Sequence, residues 1–155
     1  MFGRTSILLL VVTSLLTAGD ESAILRERED MLATAVRAKD KVVLSTLTNN
    51  GFHVSWTCGS GMRNFSAESL REDWIDDLIR LRIDSYEAVI SKIRLAKGDQ
   101  AFVDLDEFWT LHSPHGAPIE RRFHTSDAWF KLQGAWKLVA RIAARYPRDC
   151  LDGLN

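Results

Sequence analysis

The sequence has none of the complete motifs that mark the common enzyme and metal-binding classes. It contains no H-E-x-x-H or C-x-x-C pair, no phosphate-binding P-loop and no G-x-S-x-G nucleophile motif. Nucleophilic and phosphoryl-transfer chemistry therefore have no motif support, and no cofactor is expected. A basic excess is missing too, because 20 Lys and Arg stand against 21 Asp and Glu. A nucleic-acid partner is therefore not expected.

The sequence also lacks an apolar run long enough to cross a membrane. The longest run, Ser6 to Leu16, falls short of the roughly 20 residues that a bilayer span needs. A short basic stretch precedes it, and the small residues Thr17-Ala18-Gly19 follow. This pattern predicts a signal peptide over residues 1–19, and thus a secreted or periplasmic protein with no stable membrane anchor after cleavage.

Cysteine is scarce, with two residues, Cys58 and Cys150. Oxidising compartments favour pairing, so a disulfide that ties the C-terminal tail to the first strand is one interpretation. Cys58 also alternates with Val54 and Trp56 along a strand-like stretch, as a buried thiol would. Both interpretations stay open.

What remains predicts one α+β domain over residues 20–147, followed by a tail at 148–155. Helical spacing of apolar residues indicates a first helix over 20–39 and a short second one over about 40–47. The strand-like FHVSWTC follows, and Ser66 is a candidate N-cap for a third helix that carries Trp74. Strands are predicted over 85–96, 101–111 and a hairpin from His124 to Pro147. Helices followed by strands indicate helices packed on one face of a curled sheet.

The hairpin, HTSDAWFKLQGAWKLVARIAARYP, determines which side chains share a face. We expect a three-residue loop, Leu132-Gln133-Gly134, because it separates polar from apolar residues. This loop places His124 opposite Ile142 on an apolar face, together with Ser126 and Trp136. A two-residue Gln-Gly loop would rearrange both faces, because a shift of one residue turns every side chain over.

Several segments together resemble the nuclear transport factor two-like superfamily, and within it the SnoaL-like and ketosteroid-isomerase-like branch. They are a long first helix ending in AVRAKD, the strand segment GDQAFV, and SDAWFKLQGAWKLVA. The resemblance covers about Glu21 to Pro147. It implies a cone, in which a strongly curved antiparallel sheet wraps around about three N-terminal helices and encloses an apolar pocket. It also implies a homodimer through the sheet. Members include isomerases, dehydratases and cyclases as well as non-enzymatic binding and assembly domains. This chain departs from the pattern at Ile142 and Ala144, where relatives commonly carry polar residues.

Glu107 is the single carboxylate on one face of its strand, among Ala101, Val103, Leu105 and Trp109. A carboxylate in apolar surroundings is a candidate general acid or base. The hypothesis is a catalytic pair of Glu107 and His124 inside the pocket. The alternatives are that Glu107 lies at the sheet rim or pairs with Arg122, and that His124 is only a strand-end residue. The predicted pocket-lining residues are Trp56, Trp74, Trp109, Ser126 and Trp136.

No metal site is predicted. Asp104 and Asp106 share the opposite face of that strand with Phe102 and Phe108, but two carboxylates lack a third ligand. Charge pairing with Lys131, Lys137 or Arg141 is the preferred interpretation. His112 and His115 stand in a turn without a nearby acid or cysteine, which is typical of a solvated loop.

Three functions are consistent with these patterns. The first is an exported domain whose pocket holds a small, largely apolar organic ligand. The second is a cofactor-free isomerase, dehydratase or cyclase that uses acid–base catalysis. The third is an interaction or dimerisation module that uses outward-facing aromatic residues on the sheet, namely Phe102, Phe108, Phe123 and Trp129.

Overall fold

The computed structural model describes residues 18–58, 65–113 and 116–145, which form three helices and six strands. In chain order the elements are α1 (Ala18–Ala38), α2 (Lys41–Leu47), β1 (Thr48–Cys58), β2 (Phe65–Leu70), α3 (Arg71–Arg80), β3 (Ile83–Leu95), β4 (Gln100–Leu111), β5 (Ile119–Leu132) and β6 (Ala135–Arg145). The predicted α+β class is confirmed. None of the helices in the described ranges is long and apolar enough to span a bilayer.

Two predictions fall on residues outside the described ranges. Residues 1–17, which make up most of the predicted signal peptide, and the tail that carries Cys150 lie there. The side chain of Cys58 lies outside the described residues as well. The signal peptide and the disulfide therefore stay predictions.

A tight junction joins the first two helices. Lys39 adopts a positive φ of 54°, and the amide of Asp40 donates to the carbonyl of Ala35 at 2.9 Å, which closes the end of α1. The Asp40 carboxylate then accepts from the amide of Val43 at 3.0 Å and caps α2. One residue thus ends one helix and starts the next, so both pack on the same side of the sheet.

The third helix begins later than the sequence predicts. Residues 65–70 form strand β2, which pairs antiparallel with β1, and α3 starts at Arg71. The predicted Ser66 N-cap is wrong. Leu70 occupies the cap position and its side chain makes no capping hydrogen bond. The preceding strand thus determines where α3 begins, whereas the sequence pattern indicated an early polar cap.

The six strands form one sheet in the order β2-β1-β6-β5-β4-β3. All neighbouring pairs are antiparallel except β1 and β6, which run parallel. The sheet is therefore mixed, although its longest strands form the predicted antiparallel meander. The first and last strands, β1 and β6, therefore lie side by side in the middle of the sheet.

The hairpin between β5 and β6 has a two-residue turn, so the predicted three-residue loop is wrong. Leu132 pairs with Ala135, and both turn residues have positive φ, 52° at Gln133 and 80° at Gly134. Two positive φ values define the type I′ turn, whose twist matches that of paired strands. Gln133 adopts this conformation although it is not a glycine.

A shift in register then changes the faces of the hairpin. Trp129 pairs with Leu138, whereas Ala128 pairs with Ala140. Strand β6 therefore has one extra, unpaired residue there, Val139, which is a β-bulge. The residues of β6 before and after the bulge alternate out of phase with each other. As a result, the inner face combines residues that the predicted loop placed on opposite faces. They are Thr125, Asp127, Trp129, Trp136, Leu138, Arg141 and Ala143.

The core lies between the helices and the inner face of the sheet. Its members are almost wholly inaccessible and come from both layers, including Leu25, Leu32, Val36, Leu44, Leu47, Phe52, Val54, Ile75, Val103, Leu105 and Leu138. Burial of large apolar side chains is the main stabilising contribution. Charged residues are also fully buried in this layer, and they form the centre of the candidate site.

Candidate functional site

A cavity of about 450 Å³ opens between α3 and the ends of the central strands. Its wall is mainly aromatic and aliphatic. Trp56 comes from β1, Trp74 from α3, Trp109 from β4 and Phe123 from β5, and Leu78, Leu81 and Leu111 complete the apolar part. Trp56 and Phe123 contact each other edge to face, with ring centroids 5.4 Å apart. The volume lies within the range of small-molecule sites.

The polar residues of the cavity are mostly cationic. Arg80, Arg121 and Arg145 line it together with Asp77 and Ser69. Arg121 stands directly opposite Trp109 in the β4–β5 register, and Arg145 stands opposite Phe123 in the β5–β6 register. Residues that pair across strands share a face. The arginines and the aromatic rings therefore line the same cavity.

Three of the five predicted pocket residues line this cavity, namely Trp56, Trp74 and Trp109. Ser126 does not, because it faces the outer side of the sheet and donates to Asp104 Oδ1 at 2.8 Å. Trp136 is buried elsewhere, close to the start of α1, where its Nε1 donates to Glu21 Oε2 at 2.7 Å. The incorrect hairpin register explains the placement of Ser126, and the structure separates Trp136 from the cavity.

Glu107 lies in a buried charged cluster next to the cavity. One carboxylate oxygen accepts from the Tyr86 hydroxyl at 2.5 Å and from Arg141 Nη1 at 2.9 Å. The other accepts from the Thr125 hydroxyl at 2.8 Å. The prediction that Glu107 faces inward is confirmed, since its residue is 1% exposed. Its partner is Arg141, whereas the sequence proposed Arg122 as the alternative.

Arg141 also holds a second carboxylate. Its Nε and Nη2 donate to the two oxygens of Asp127 at 2.7 and 2.5 Å, a bidentate arrangement. Burial by itself would lower the pKa of Arg141, but the charges of Asp127 and Glu107 raise it well above its ordinary value. The guanidinium therefore stays charged and links two strands through the core.

A third acid, Glu29 of α1, completes the cluster. It accepts from Trp129 Nε1 at 2.7 Å, and its carboxyl hydrogen-bonds to that of Asp127. Burial raises the pKa of Glu29 well above its usual value, and the charge of Asp127 raises it further. The raised pKa favours the neutral carboxyl of Glu29, which is the form that can donate to Asp127.

The predicted pairing of Glu107 with His124 is wrong. The two side chains lie on opposite faces of the sheet, and the His124 side chain is 55% exposed. Its Nδ1 lies 3.0 Å from Asp106 Oδ1 on the outer face. In the register of β4 and β5, His124 stands opposite Asp106 while Thr125 and Phe123 flank it on the inner side. The alternative of a strand-end residue is wrong as well, because His124 lies inside β5, five residues after the strand begins at Ile119.

Tryptophan rings separate the charged cluster from the cavity. Trp109, which lines the cavity, packs on Tyr86 with ring centroids 4.4 Å apart. Trp74, which also lines it, lies 5.8 Å from the Arg141 guanidinium. Glu107 itself is absent from the described cavity wall. The cluster therefore supports the aromatic wall, and proton transfer from Glu107 to a cavity ligand would need these rings to move.

Sequence reasoning missed Tyr86, Arg141 and Glu29 as members of this cluster. The type I′ turn and the single bulge set Asp127 directly opposite Arg141. No local signal marks Glu29, which lies 100 residues from its partner Trp129. Among the cavity arginines, Arg145 follows from the hairpin register and Arg121 from the separate pairing of β4 with β5.

The described residues do not form a metal site. Within the ranges that the structure covers, no three His, Cys, Asp or Glu side chains are grouped so that they could hold an ion. Arg94 Nη2 lies 2.9 Å from Asp104 Oδ1. The predicted charge pairing of Asp104 is therefore confirmed, but its partner is none of the predicted residues Lys131, Lys137 and Arg141. His112 lies 3.9 Å from Asp84, and His115 lies outside the described residues.

The outer face carries fewer aromatic residues than predicted. Trp129 is fully buried on the inner side, and Phe123 lines the cavity. Their placement on the outer face is therefore wrong. Phe108 does face outward, and Val89 and Ile142 are exposed on the same side of the sheet, by 46% and 53%. The outer surface is thus partly apolar, with aliphatic residues where aromatic ones were expected.

Comparisons with known proteins agree with this architecture. No protein-family model and no curated protein sequence matches the chain. Solved structures do match its fold. An NTF2-like protein from Cytophaga hutchinsonii is 16% identical over 81% of this chain and 98% of its own, with a TM-score of 0.66. A ketosteroid isomerase-like protein from Erwinia carotovora atroseptica is 12% identical over 81% and 96%, with a TM-score of 0.64.

An association domain shares the fold as well. The association domain of C. elegans CaMKII is 17% identical over 81% of this chain and 95% of its own, with a TM-score of 0.54. The chain therefore has the NTF2-like fold, which confirms the fold that the resemblance implied. Because this fold hosts unrelated functions, the function has to be argued from the cavity.

Proposed function

We propose that this protein binds a small, largely apolar organic molecule in the cavity bounded by Trp56, Trp74, Trp109 and Phe123. The observation that carries the proposal is the cavity itself, about 450 Å³ with four aromatic rings in its wall. Rings of this size offer a large apolar contact area. The apolar run at residues 6–16 supports a role outside the cytoplasm.

Binding is favoured over catalysis by the state of Glu107. Both of its oxygens accept hydrogen bonds from Tyr86, Thr125 and Arg141, and Trp109 stands between this cluster and the cavity. A general base must lie within hydrogen-bond reach of the proton that it removes. The acid–base enzyme is therefore the alternative, and it requires a rearrangement of Trp109.

A cavity-filling variant tests binding. Ser69, a half-buried cavity residue on β2, is replaced by Trp, and titration with the fluorescent neutral probe N-phenyl-1-naphthylamine is compared with the wild type. We expect saturable binding by the wild type. For Ser69→Trp we expect a Kd that is higher by at least about tenfold. Val42→Trp is the matched control, because Val42 is 75% exposed on α2. Equal binding by all three proteins, with unchanged circular dichroism, would contradict the proposal.

The outer face of the sheet favours a second role, which is self-association. Val89 and Phe108 expose apolar surface on the adjacent strands β3 and β4, and Ile142 does so on β6, beyond β5. Exposed apolar surface of this kind can mark an interface. The structural similarity to an association domain supports the same role. We expect a dimer in sedimentation velocity and a shift toward monomer for Ile142→Lys. The exposed control, Val42→Lys, should leave the dimer intact, and a monomeric wild type would refute this role.

A further inference from the structure

We propose that the ligand of this cavity is an amphipathic anion, with an apolar body and a single acidic head group such as a carboxylate. This inference rests on the proposed binding function and specifies its ligand class. The two parts of the ligand correspond to two parts of the wall. Tryptophan and phenylalanine rings would contact the body, and arginines would bind the head group.

The described part of the cavity wall is positively charged. Among the described residues, three arginines and one aspartate line it, Arg80, Arg121, Arg145 and Asp77, so this part of the wall has a formal net charge of +2, from three positive side chains and one negative. The whole chain has a formal net charge of −1. The cavity is therefore positive in a protein that is slightly acidic overall. Such a field attracts anions and disfavours cations.

Among the described residues of the wall, Asp77 carries the negative charge, and it compensates little of the positive charge. Asp77 lies 3.9 Å from Arg80, and both side chains are mainly exposed, by 65% and 77%. An exposed pair at that distance contributes little and is screened by salt. Asp77 therefore does not neutralise Arg121, which comes from the strand side of the cavity.

Arg121 and Arg145 lie next to the aromatic rings of the wall. Arg121 stands opposite Trp109 and Arg145 stands opposite Phe123 across neighbouring strands. An N–H of Arg121 donates to the Glu120 carbonyl at 2.8 Å, and a guanidinium has five such donors in a planar fork. That fork matches the two oxygens of a carboxylate. The head group would thus lie at the arginines while the body of the ligand contacts the adjacent rings.

Size restricts the ligand further. The cavity volume of about 450 Å³ corresponds to about 15 water molecules at their share of liquid volume. This room suits a one- or two-ring acid or a medium-chain fatty acid. A long peptide would not fit inside.

A matched pair of fluorescent probes tests the inference on the purified protein. 8-Anilinonaphthalene-1-sulfonate and N-phenyl-1-naphthylamine share the same aromatic frame and differ by one sulfonate. We expect the anionic probe to bind at least about tenfold more tightly, since hydrogen bonds to charged groups are the stronger ones. In Arg121→Gln and Arg145→Gln this preference should fall several-fold, while the neutral probe binds as before. Arg26→Gln, an exposed change on α1, is the control and should keep the preference.

Each outcome decides between the two proposals. If both probes bind with equal Kd, or if the glutamine variants keep the full preference, the anionic ligand class is overturned while the binding cavity stands. If neither probe binds saturably, and Ser69→Trp changes nothing, the binding function fails and the inference fails with it. A lower preference at high salt, with an unchanged Kd for the neutral probe, supports the electrostatic origin.

Discussion

Arg141 and Asp127 face each other across β5 and β6 and form a bidentate ion pair in which neither side chain is more than 2% exposed. Glu107 accepts from the same guanidinium. The pair therefore holds together two of the strands that lead to the cavity.

Replacing Arg141 by Met should lower the free energy of unfolding by about 3–5 kcal/mol, because it leaves two buried carboxylates without their counter-charge. Urea unfolding followed by circular dichroism measures the change. The control is Arg94→Met, which breaks the partly exposed pair with Asp104 and should cost at most about 1 kcal/mol. An equal loss in the free energy of unfolding for the two variants would show that the buried cluster stabilises the fold no more than the exposed pair does.

Replacing Glu29 by Gln should flatten the pH dependence of stability. In the folded state burial raises the pKa of Glu29 above 4.5, so the folded protein keeps a proton that the unfolded chain releases. The free energy of unfolding of the wild type therefore falls as pH rises from about 4.5 toward the raised pKa. Within that window, the free energy of unfolding of Glu29→Gln should rise relative to that of the wild type by up to about 1.4 kcal/mol per pH unit.

Urea titrations at several pH values between 5 and 8 measure this difference. Glu27→Gln is the control, because Glu27 is exposed on the same helix and its removal should give a curve parallel to that of the wild type. A Glu29→Gln curve that also runs parallel to the wild type would mean that the Glu29 carboxyl is ionised in the folded protein.

Replacing Glu107 by Gln separates a structural role from a catalytic one. The amide cannot accept from Tyr86, Thr125 and Arg141 as the carboxylate does, so we expect a loss of about 2–4 kcal/mol in the free energy of unfolding. Binding of N-phenyl-1-naphthylamine should change by less than twofold, because Glu107 does not line the cavity. A stable variant with strongly altered binding would instead place Glu107 at the ligand.

Replacing Gly134 by Ala should lower the free energy of unfolding by about 1 kcal/mol, because a side chain is strained at a φ of 80° even though no atom crowds the site. Gly116→Ala is the matched control, since its neighbourhood is equally open and its φ is not positive. Thermal unfolding should show a lower Tm for Gly134→Ala alone. A similar Tm for both variants would argue against a type I′ turn.

The sequence by itself determined the class of fold and the inward position of Glu107. Alternation along β4 has a period of two, so Leu105, Glu107 and Trp109 had to share one face whatever the neighbouring strands do. The helical spacing that predicted α1 and placed Trp74 on an apolar stripe depends equally on local geometry. These features need only a few consecutive residues, which is why reading the chain recovers them.

Only the tertiary structure decided which side chains meet on the hairpin. The positive φ of Gln133 and the extra residue Val139 each shift the register by one position, and a shift of one turns every following side chain to the other face. His124 and Ser126 therefore face outward, while Asp127 and Arg141 face inward. The contact of Glu29 with Trp129 spans 100 residues. It depends on how the helices pack on the sheet, which no local pattern records.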